Sequence, residues 1–178
     1  MTGTPKTKKQ LNSNLRLICT KLNEYKINNW FIAYGTLLGI VRDGSCIDGD
    51  DDIDIVIDVA EIPKVKECVK YMMDKESYQM TIDKKGKFMQ ISKEDCQLDF
   101  YFAENDGTNF FDLHEKVTWS ECIDPETNKV PSIGWNGIKI NVPHERILKL
   151  QRRYGPEWQK RIKKNEPGGE GYRTVLVL

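Results

Sequence analysis

The chain has 178 residues, with 27 Lys+Arg against 27 Asp+Glu and a formal net charge of zero. That length suits one domain, or one domain with a small appendage, and is enough to bury a real core. Zero net charge excludes the global basic field that wraps nucleic acid or holds an anionic membrane surface, so substrate charge has to be handled locally.

In chain order, Met1 to Lys9 carries basic residues with no apolar stretch behind them, and no uninterrupted apolar run approaches membrane-spanning length. The chain is therefore expected to be soluble and cytoplasmic, with no membrane span. Leu11, Leu15, Ile18, Leu22 and Tyr25 recur at helical spacing, which predicts an amphipathic helix from Lys8 to Tyr25 that exits at Asn28-Asn29. Trp30 to Tyr34 reads as a buried strand, Gly35-Thr36 as the turn at its end, and Leu37 to Val41 as a short helix with Arg42 at its far end. Asp43-Gly44-Ser45 and Asp48-Gly49-Asp50 are turn chemistry leading into a strand from Asp52 to Asp58. Ile62-Pro63 opens a second helix with Val65, Val69 and Met72 or Met73 inward. Tyr78 to Ile82, Phe88 to Ile91 and Gln97 to Phe102 read as three strands of a meander that brings Asp99 beside Asp52.

From Glu104 to Asn141 turns alternate with short β pieces such as Lys116 to Glu121 and Ile138 to Asn141, which predicts a β-rich insertion near the site. Pro143 starts a last helix, with Ile147, Leu148 and Leu150 inward and Glu145, Arg146, Lys149, Arg152 and Arg153 outward. The expected architecture is α+β, a mixed central sheet flanked by helices. One domain spans residues 1–163 with its core at 30–158, and residues 164–178 form a flexible tail ending in an unexplained apolar run.

Chemistry concentrates at Asp52-Ile53-Asp54. Ile53, Ile55 and Ile57 alternate with Asp52, Asp54 and Val56, the period-2 pattern of a strand that buries one face. Asp52 and Asp54 therefore point the same way, about 7 Å apart along the strand. Two oxygen donors so placed suit a hard divalent cation such as Mg2+ or Mn2+, with a nucleotide di- or triphosphate supplying further ligands. Asp99 sits in a second alternating strand whose Leu98, Phe100 and Phe102 lie on the opposite face, and a charge in so apolar a strand wants a reason.

The run Trp30 to Gly39, Arg42 and Asp50-Asp51-Asp52-Ile53-Asp54 resembles the LicD/fukutin family of the nucleotidyltransferase-fold superfamily. Tyr154-Gly155-Pro156-Glu157-Trp158 resembles that family's C-terminal Tyr-Gly-x-x-Trp signature, so the likeness extends from Trp30 to Trp158. It implies a transferase that moves phosphocholine or a phospho-alditol from a CDP-activated donor onto a sugar or glycan hydroxyl. Gly35-Thr36, Asp52-Ile53-Asp54 and Asp99 match the superfamily's turn, its Asp-hydrophobic-Asp strand and its third carboxylate. On this reading Asp52, Asp54 and Asp99 hold the metal and carry catalysis, with Asp99 as candidate base, while Gly35, Thr36 and Arg42 bind donor phosphates.

Rival readings of the same residues remain open at this stage. An acidic run is often a solvated loop. An EF-hand calcium loop fails at its Gly and Glu positions, which here hold Ile53 and Val59. Arg42 has Asp43 and Asp48 as surface partners on offer, and His114 and His144, the two histidines, lie outside the motifs. The same carboxylates would also serve a nucleotidyltransferase moving NMP from an NTP to a small acceptor, or survive in an inactive binding module. Five widely spaced cysteines without a Cys-x-x-Cys pair argue for reduced thiols over disulfides or a zinc site.

Overall fold

Two strands with one wholly aliphatic or aromatic face each, one carrying Ile53, Ile55 and Ile57 and the other Leu98, Phe100 and Phe102, pair at the centre of the sheet. The computed structural model describes residues 6–161 and 176–178. Its elements are α1 (Lys8–Glu24), β1 (Trp30–Ile32), α2 (Tyr34–Asp43), β2 (Asp52–Asp58), α3 (Ile62–Lys75), β3 (Gln79–Asp83) and β4 (Phe88–Lys93), then β5 (Cys96–Asn105), β6 (Phe110–Asp112), β7 (Thr118–Trp119), β8 (Ser132–Trp135), β9 (Ile138–Asn141) and α4 (Arg146–Tyr154). The main sheet has the order β1-β2-β5-β4-β3, with β6 continuing along β5 and β7 pairing with β6. β2 and β5 run parallel and the other strand pairs are antiparallel. This is the expected α+β architecture around a mixed sheet.

α1 begins with a capping box in which Thr7 and Gln10 satisfy each other's backbone donors, and it buries Leu11, Leu15, Ile18 and Leu22. α3 carries Pro63 in its first turn and buries Val65, Cys68, Val69 and Met72, leaving Met73 exposed. Phe31, paired with Val56 across β1 and β2, packs edge-on against Phe110 and Trp119 with ring centroids 5.3 and 5.2 Å away. All five cysteines are buried and unpaired. Among the described residues no helix is long and apolar enough to cross a membrane.

The structure departs from the sequence expectation in several places. β1 stops at Ile32, and Tyr34 is already the first residue of α2, held at φ 44°. The β-rich segment divides into two parts. β6 and β7 extend the main sheet, whereas the β8–β9 hairpin turns through Asn136 and Gly137 and lies against α1, with Arg16 donating to the Asn136 carbonyl at 2.7 Å.

α4 is rotated relative to the expected face. Lys149, expected outside, is 2 % exposed with its Nζ donating to the His144 carbonyl at 2.7 Å, and Ile147, expected inside, is 43 % exposed. A buried ammonium is tolerated there because backbone carbonyls receive its protons. The tail expected at 164–178 lies largely outside the described residues. Its last three residues are described: Leu178 is buried, donates its N–H to the Thr118 carbonyl at 2.7 Å and accepts from Ser120 N–H.

α2 can seat against the loop that delivers the acidic run only because residue 39 is glycine. A Cβ there would stand 2.7 Å from the Ser45 carbonyl oxygen and 3.0 Å from the Ile47 nitrogen. Gly39→Ala gains about 1 kcal/mol of helix propensity. The clash is with backbone, which has to shift, at about 1–3 kcal/mol. The variant is expected to be net destabilised, with a lower urea midpoint, and an unchanged or higher midpoint contradicts this packing.

Candidate active site

The parallel register of β2 and β5 sets the geometry. Asp54 lies directly opposite Asp99, and Asp52 opposite Gln97. Neighbouring strands are about 4.8 Å apart, and residues two apart on a strand share a face, so these pairings put all three carboxylates on one side of the sheet. Oxygens of Asp52, Asp54 and Asp99 lie within 4.8 Å of one another. The meander therefore brings Asp99 to the site as expected, but as the cross-strand partner of Asp54 rather than of Asp52.

The backbone of Asp54 and the carboxylate of Asp99 are held from behind. The Asp54 N–H donates to the Thr36 hydroxyl at 2.9 Å, and its carbonyl accepts from Ala33 N–H at 3.0 Å. Asp99 Oδ1 accepts from Gln90 Nε2 at 2.8 Å, and Gln90 Oε1 accepts in turn from the Thr81 hydroxyl at 2.8 Å. Gln90 sits opposite Asp99 on β4, and nothing in the Phe-Met-Gln-Ile-Ser pattern marked it beforehand.

Asp50 and Asp51 also approach Asp52, their oxygens forming a second acidic group. Asp50 caps its own turn by accepting from Asp51 N–H at 3.2 Å. The loop is pinned further by Asn12, which accepts from Cys46 N–H at 2.9 Å, and by Asp48, which accepts from Lys8 N–H at 2.8 Å.

So much buried negative charge raises proton affinity. Burial, then Asp50, Asp99 and Asp51, push the Asp52 carboxyl up. Burial, then Asp52 and Asp99, push Asp54 well above the usual range, with Arg153 opposing. Burial lifts Asp99 to about 6 against the hydrogen bond from Gln90. Tyr101, next along the same face of β5, has its phenol raised by burial and then by the same three aspartates.

Three convergent carboxylates that repel one another are the donor set of a hard divalent cation, so the residues fit such an ion. The ion would be held by Asp52, Asp54 and Asp99.

The phosphate-binding expectations fare unevenly. Gly35 lies against the carboxylates, since a Cβ there would meet Asp50 Oδ2 at 3.0 Å and Asp54 Oδ2 at 3.8 Å. Thr36 is 3 % exposed and its hydroxyl oxygen is engaged by Asp54, so its side chain positions β2. Arg42 is about 10 Å further along α2 by helical rise. There its guanidinium is held by Asp43 at 2.9 Å, and Asp43 also pairs with Arg161 at 3.0 Å.

A second arginine, Arg153 of α4, is the charge that opposes the rise at the Asp54 carboxyl. The Arg153 guanidinium carbon lies 4.4 Å from the Tyr34 ring centroid. The Tyr34 hydroxyl donates to the fully buried Asp112 at 2.7 Å. That bond and ring contacts with Tyr101 and Trp119 at 5.1 Å hold Tyr34 in its left-handed conformation.

A mixed sheet with a helix starting beside paired carboxylates on neighbouring parallel strands defines a nucleotidyltransferase-type fold and a transferase of the nucleotidyl- or phosphotransfer class. The chain belongs to the LicD/FKTN/FKRP nucleotidyltransferase-domain family, whose profile matches residues 28–145. No curated protein sequence matches it. Among solved structures it is similar to the lincosamide antibiotic adenylyltransferase LnuA in its lincomycin-bound form, at 18% identity over 81% of this chain and 85% of that one, TM-score 0.53. It is also similar to ANT(2'')-Ia in complex with adenylyl-2''-tobramycin, at 15% identity over 76% and 69% of the two chains, TM-score 0.52. At these identities the likeness is one of fold.

The raised carboxylate pKa values give stability a definite pH dependence. Unfolded aspartates titrate near 3.9. Between there and about 6 Asp99 holds more proton in the native chain than in the unfolded one, so without metal its contribution to stability falls as pH rises. Asp99 alone accounts for about 2–3 kcal/mol of that fall. Urea unfolding from pH 4.5 to 7 should show the decline, reduced in Asp99→Asn and removed by millimolar Mg2+. A metal-free rise over that range, unaltered in Asp99→Asn, contradicts it.

Proposed function

We propose that this chain transfers a phospho-substituent, phosphocholine or a phospho-alditol such as ribitol phosphate, from a CDP-activated donor to a sugar or glycan hydroxyl, with Mg2+ as cofactor. The observation that carries the reading is the convergence of Asp52, Asp54 and Asp99 on the paired strands β2 and β5 in a chain of this family. The proposed setting is cytoplasmic.

Asp52 and Asp54 are assigned to the metal, and Asp99 both to the metal and to the acceptor hydroxyl. Bound there, Mg2+ supplies charge neutralisation of the donor diphosphate and lowers the barrier to displacement. Asp99 Oδ1 is fixed by Gln90, which leaves Oδ2 to accept the proton of the attacking hydroxyl. Without metal, burial lifts the Asp99 carboxyl to about 6, and a bound cation would lower it again, so Asp99 is ionised at neutral pH. Gly35 lets donor phosphates approach the backbone N–H groups at the start of α2, where the helix dipole favours negative charge.

A second reading is supported by the adenylyltransferase likeness. The same carboxylates would serve transfer of a nucleoside monophosphate from an NTP to a small acceptor.

Thermal unfolding with CDP-choline, CDP-ribitol, CTP and ATP, each with and without Mg2+, separates the two, because a ligand that binds the native state raises its melting temperature. A Mg2+-dependent rise with a CDP conjugate, lost in Asp52→Asn, is the expected result. A rise with triphosphates alone favours the second reading, and no rise with any nucleotide contradicts both. Asp54→Asn should lower turnover about 100- to 1,000-fold, in the range of losing an electrostatic catalytic group. It should also leave the metal-free melting temperature equal or higher, because it removes one of the repelling charges.

A further inference from the structure

We propose that the acceptor lies along an aromatic strip beside Asp99 and carries an anionic group, which Lys84 and His114 receive. This subsite rests on the transferase reading above and gives its acceptor a chemical class, a sugar phosphate.

The strip follows from the register of β4 and β5. Asp99 pairs with Gln90 and Tyr101 with Phe88, so these four side chains share the face that carries the aspartates. Tyr101 stands about 7 Å along the strand from Asp99. Its half-buried ring is wedged between Tyr34 and Phe88, with centroids 5.1 Å away on each side, and among the described residues its hydroxyl makes no hydrogen bond. His114 lies over the buried Phe88, its ring 4.6 Å away and inclined by 27°, and 6.0 Å from Tyr101. The His114 N–H donates to Asp112 Oδ1 at 2.8 Å, while the other oxygen of that buried carboxylate accepts from the Tyr34 hydroxyl. One group therefore positions the strip on both flanks.

Lys84 closes the far end. Its Nζ lies 3.4 Å from His114 Nε2 and 5.5 Å from the Phe88 centroid, and among the described residues no carboxylate pairs with it. Glu115 Oε1 stands 3.8 Å from the same His114 nitrogen. Lys85 and Lys87 on the same turn are exposed without such a contact, so Lys84 is the one of the three that folds back over the ring. An ammonium has three N–H donors, and at most one of them is spent on the imidazole. An anion placed beside the two side chains gains charge-assisted hydrogen bonds that the ring nitrogen alone does not supply.

The placement suits an acceptor. α2, where donor phosphates are expected, follows β1 and packs on β2, whereas the strip starts at Asp99 and crosses from β5 to β4. Asp99 is the candidate base, so the hydroxyl to be activated belongs at the near end and the anionic group at the far end. That span is on the scale of a hexose phosphate, whose C–H face would meet the Tyr101 and His114 rings.

The rival account is a surface contact in which Lys84 only shields Phe88 from water. Binding measured without divalent cations separates the two, because no metal then holds a phosphate at the aspartates. The chain has two histidines, so proton–nitrogen correlation spectra resolve the His114 ring from that of His144. The full chain is titrated at constant ionic strength with glucose 6-phosphate, glucose and inorganic phosphate.

We expect the His114 signals to move with glucose 6-phosphate at a midpoint at least about tenfold below that for glucose or phosphate, the scale of one hydrogen bond to a charged group, while His144 stays still. In Lys84→Met the advantage over glucose should fall to within about threefold of unity. Lys84→Arg, which keeps the charge, and Lys85→Met should both retain it. Tyr101→Phe should weaken glucose 6-phosphate and leave inorganic phosphate unchanged.

Equal midpoints in the wild type and Lys84→Met overturn the subsite, as does a wild-type His114 that does not respond to glucose 6-phosphate. Inorganic phosphate binding as tightly as the sugar phosphate also overturns it, since the strip then holds no acceptor. The expected His114 response in a chain that binds no nucleotide with Mg2+ contradicts the donor reading and supports the subsite.

Discussion

The pairing of β2 with β5 in parallel, with Asp54 opposite Asp99, is the constraint on which the remainder of the site depends. It places like charges on adjacent strands and closes water out around them, an arrangement that costs free energy in the absence of a cation. The aliphatic and aromatic faces on the other side of both strands supply the burial that holds the register. Slipping either strand by one residue would turn Ile53, Ile55 and Ile57, or Leu98, Phe100 and Phe102, toward the site and the aspartates into the core. The hydrophobic core therefore enforces the electrostatic conflict that makes the site receptive to metal.

Around that conflict the structure spends its polar contacts on orientation. Thr36 secures the backbone at Asp54, and Gln90 secures one oxygen of Asp99, so both positions are oriented before any ligand arrives. Tyr34, in a backbone conformation unusual for its residue type, turns the chain sharply from β1 into α2 and brings Gly35 against Asp50 and Asp54. The buried bond from Tyr34 to Asp112 links this turn to β6, so the part of the β-rich segment that joins the main sheet supports the site from behind.

The strand alternation at Asp52 to Asp58 and at Gln97 to Phe102 made the sheet, the face and the three carboxylates readable before any coordinates. Periodicity states which way a side chain points but not which neighbour it meets, so the partner of Asp99 had to come from the register. Gln90 left no trace because a glutamine in an apolar strand has no local signature, and its role arises only across strands. Periodicity placed Arg153 on the solvent face of α4 together with Lys149. In the structure that lysine is buried against backbone carbonyls, and Arg153 lies over the Tyr34 ring. Arg42 stood in a motif, but its neighbour Asp43 takes its charge. The strands β6 and β8 are three and four residues long, too short for a two-residue period to stand out.

The central claim is that Asp52, Asp54 and Asp99 form a divalent-cation centre set by β2 and β5. Crystals of the chain grown with Mn2+, with anomalous differences collected near the manganese edge, test it without reference to any substrate. The account predicts a strong peak within bonding distance of Asp52 and Asp54 and on the side of the sheet that carries Asp99, absent in crystals of Asp54→Asn. A peak held by Asp50 and Asp51 alone, or no peak near β2 at saturating Mn2+, would contradict it.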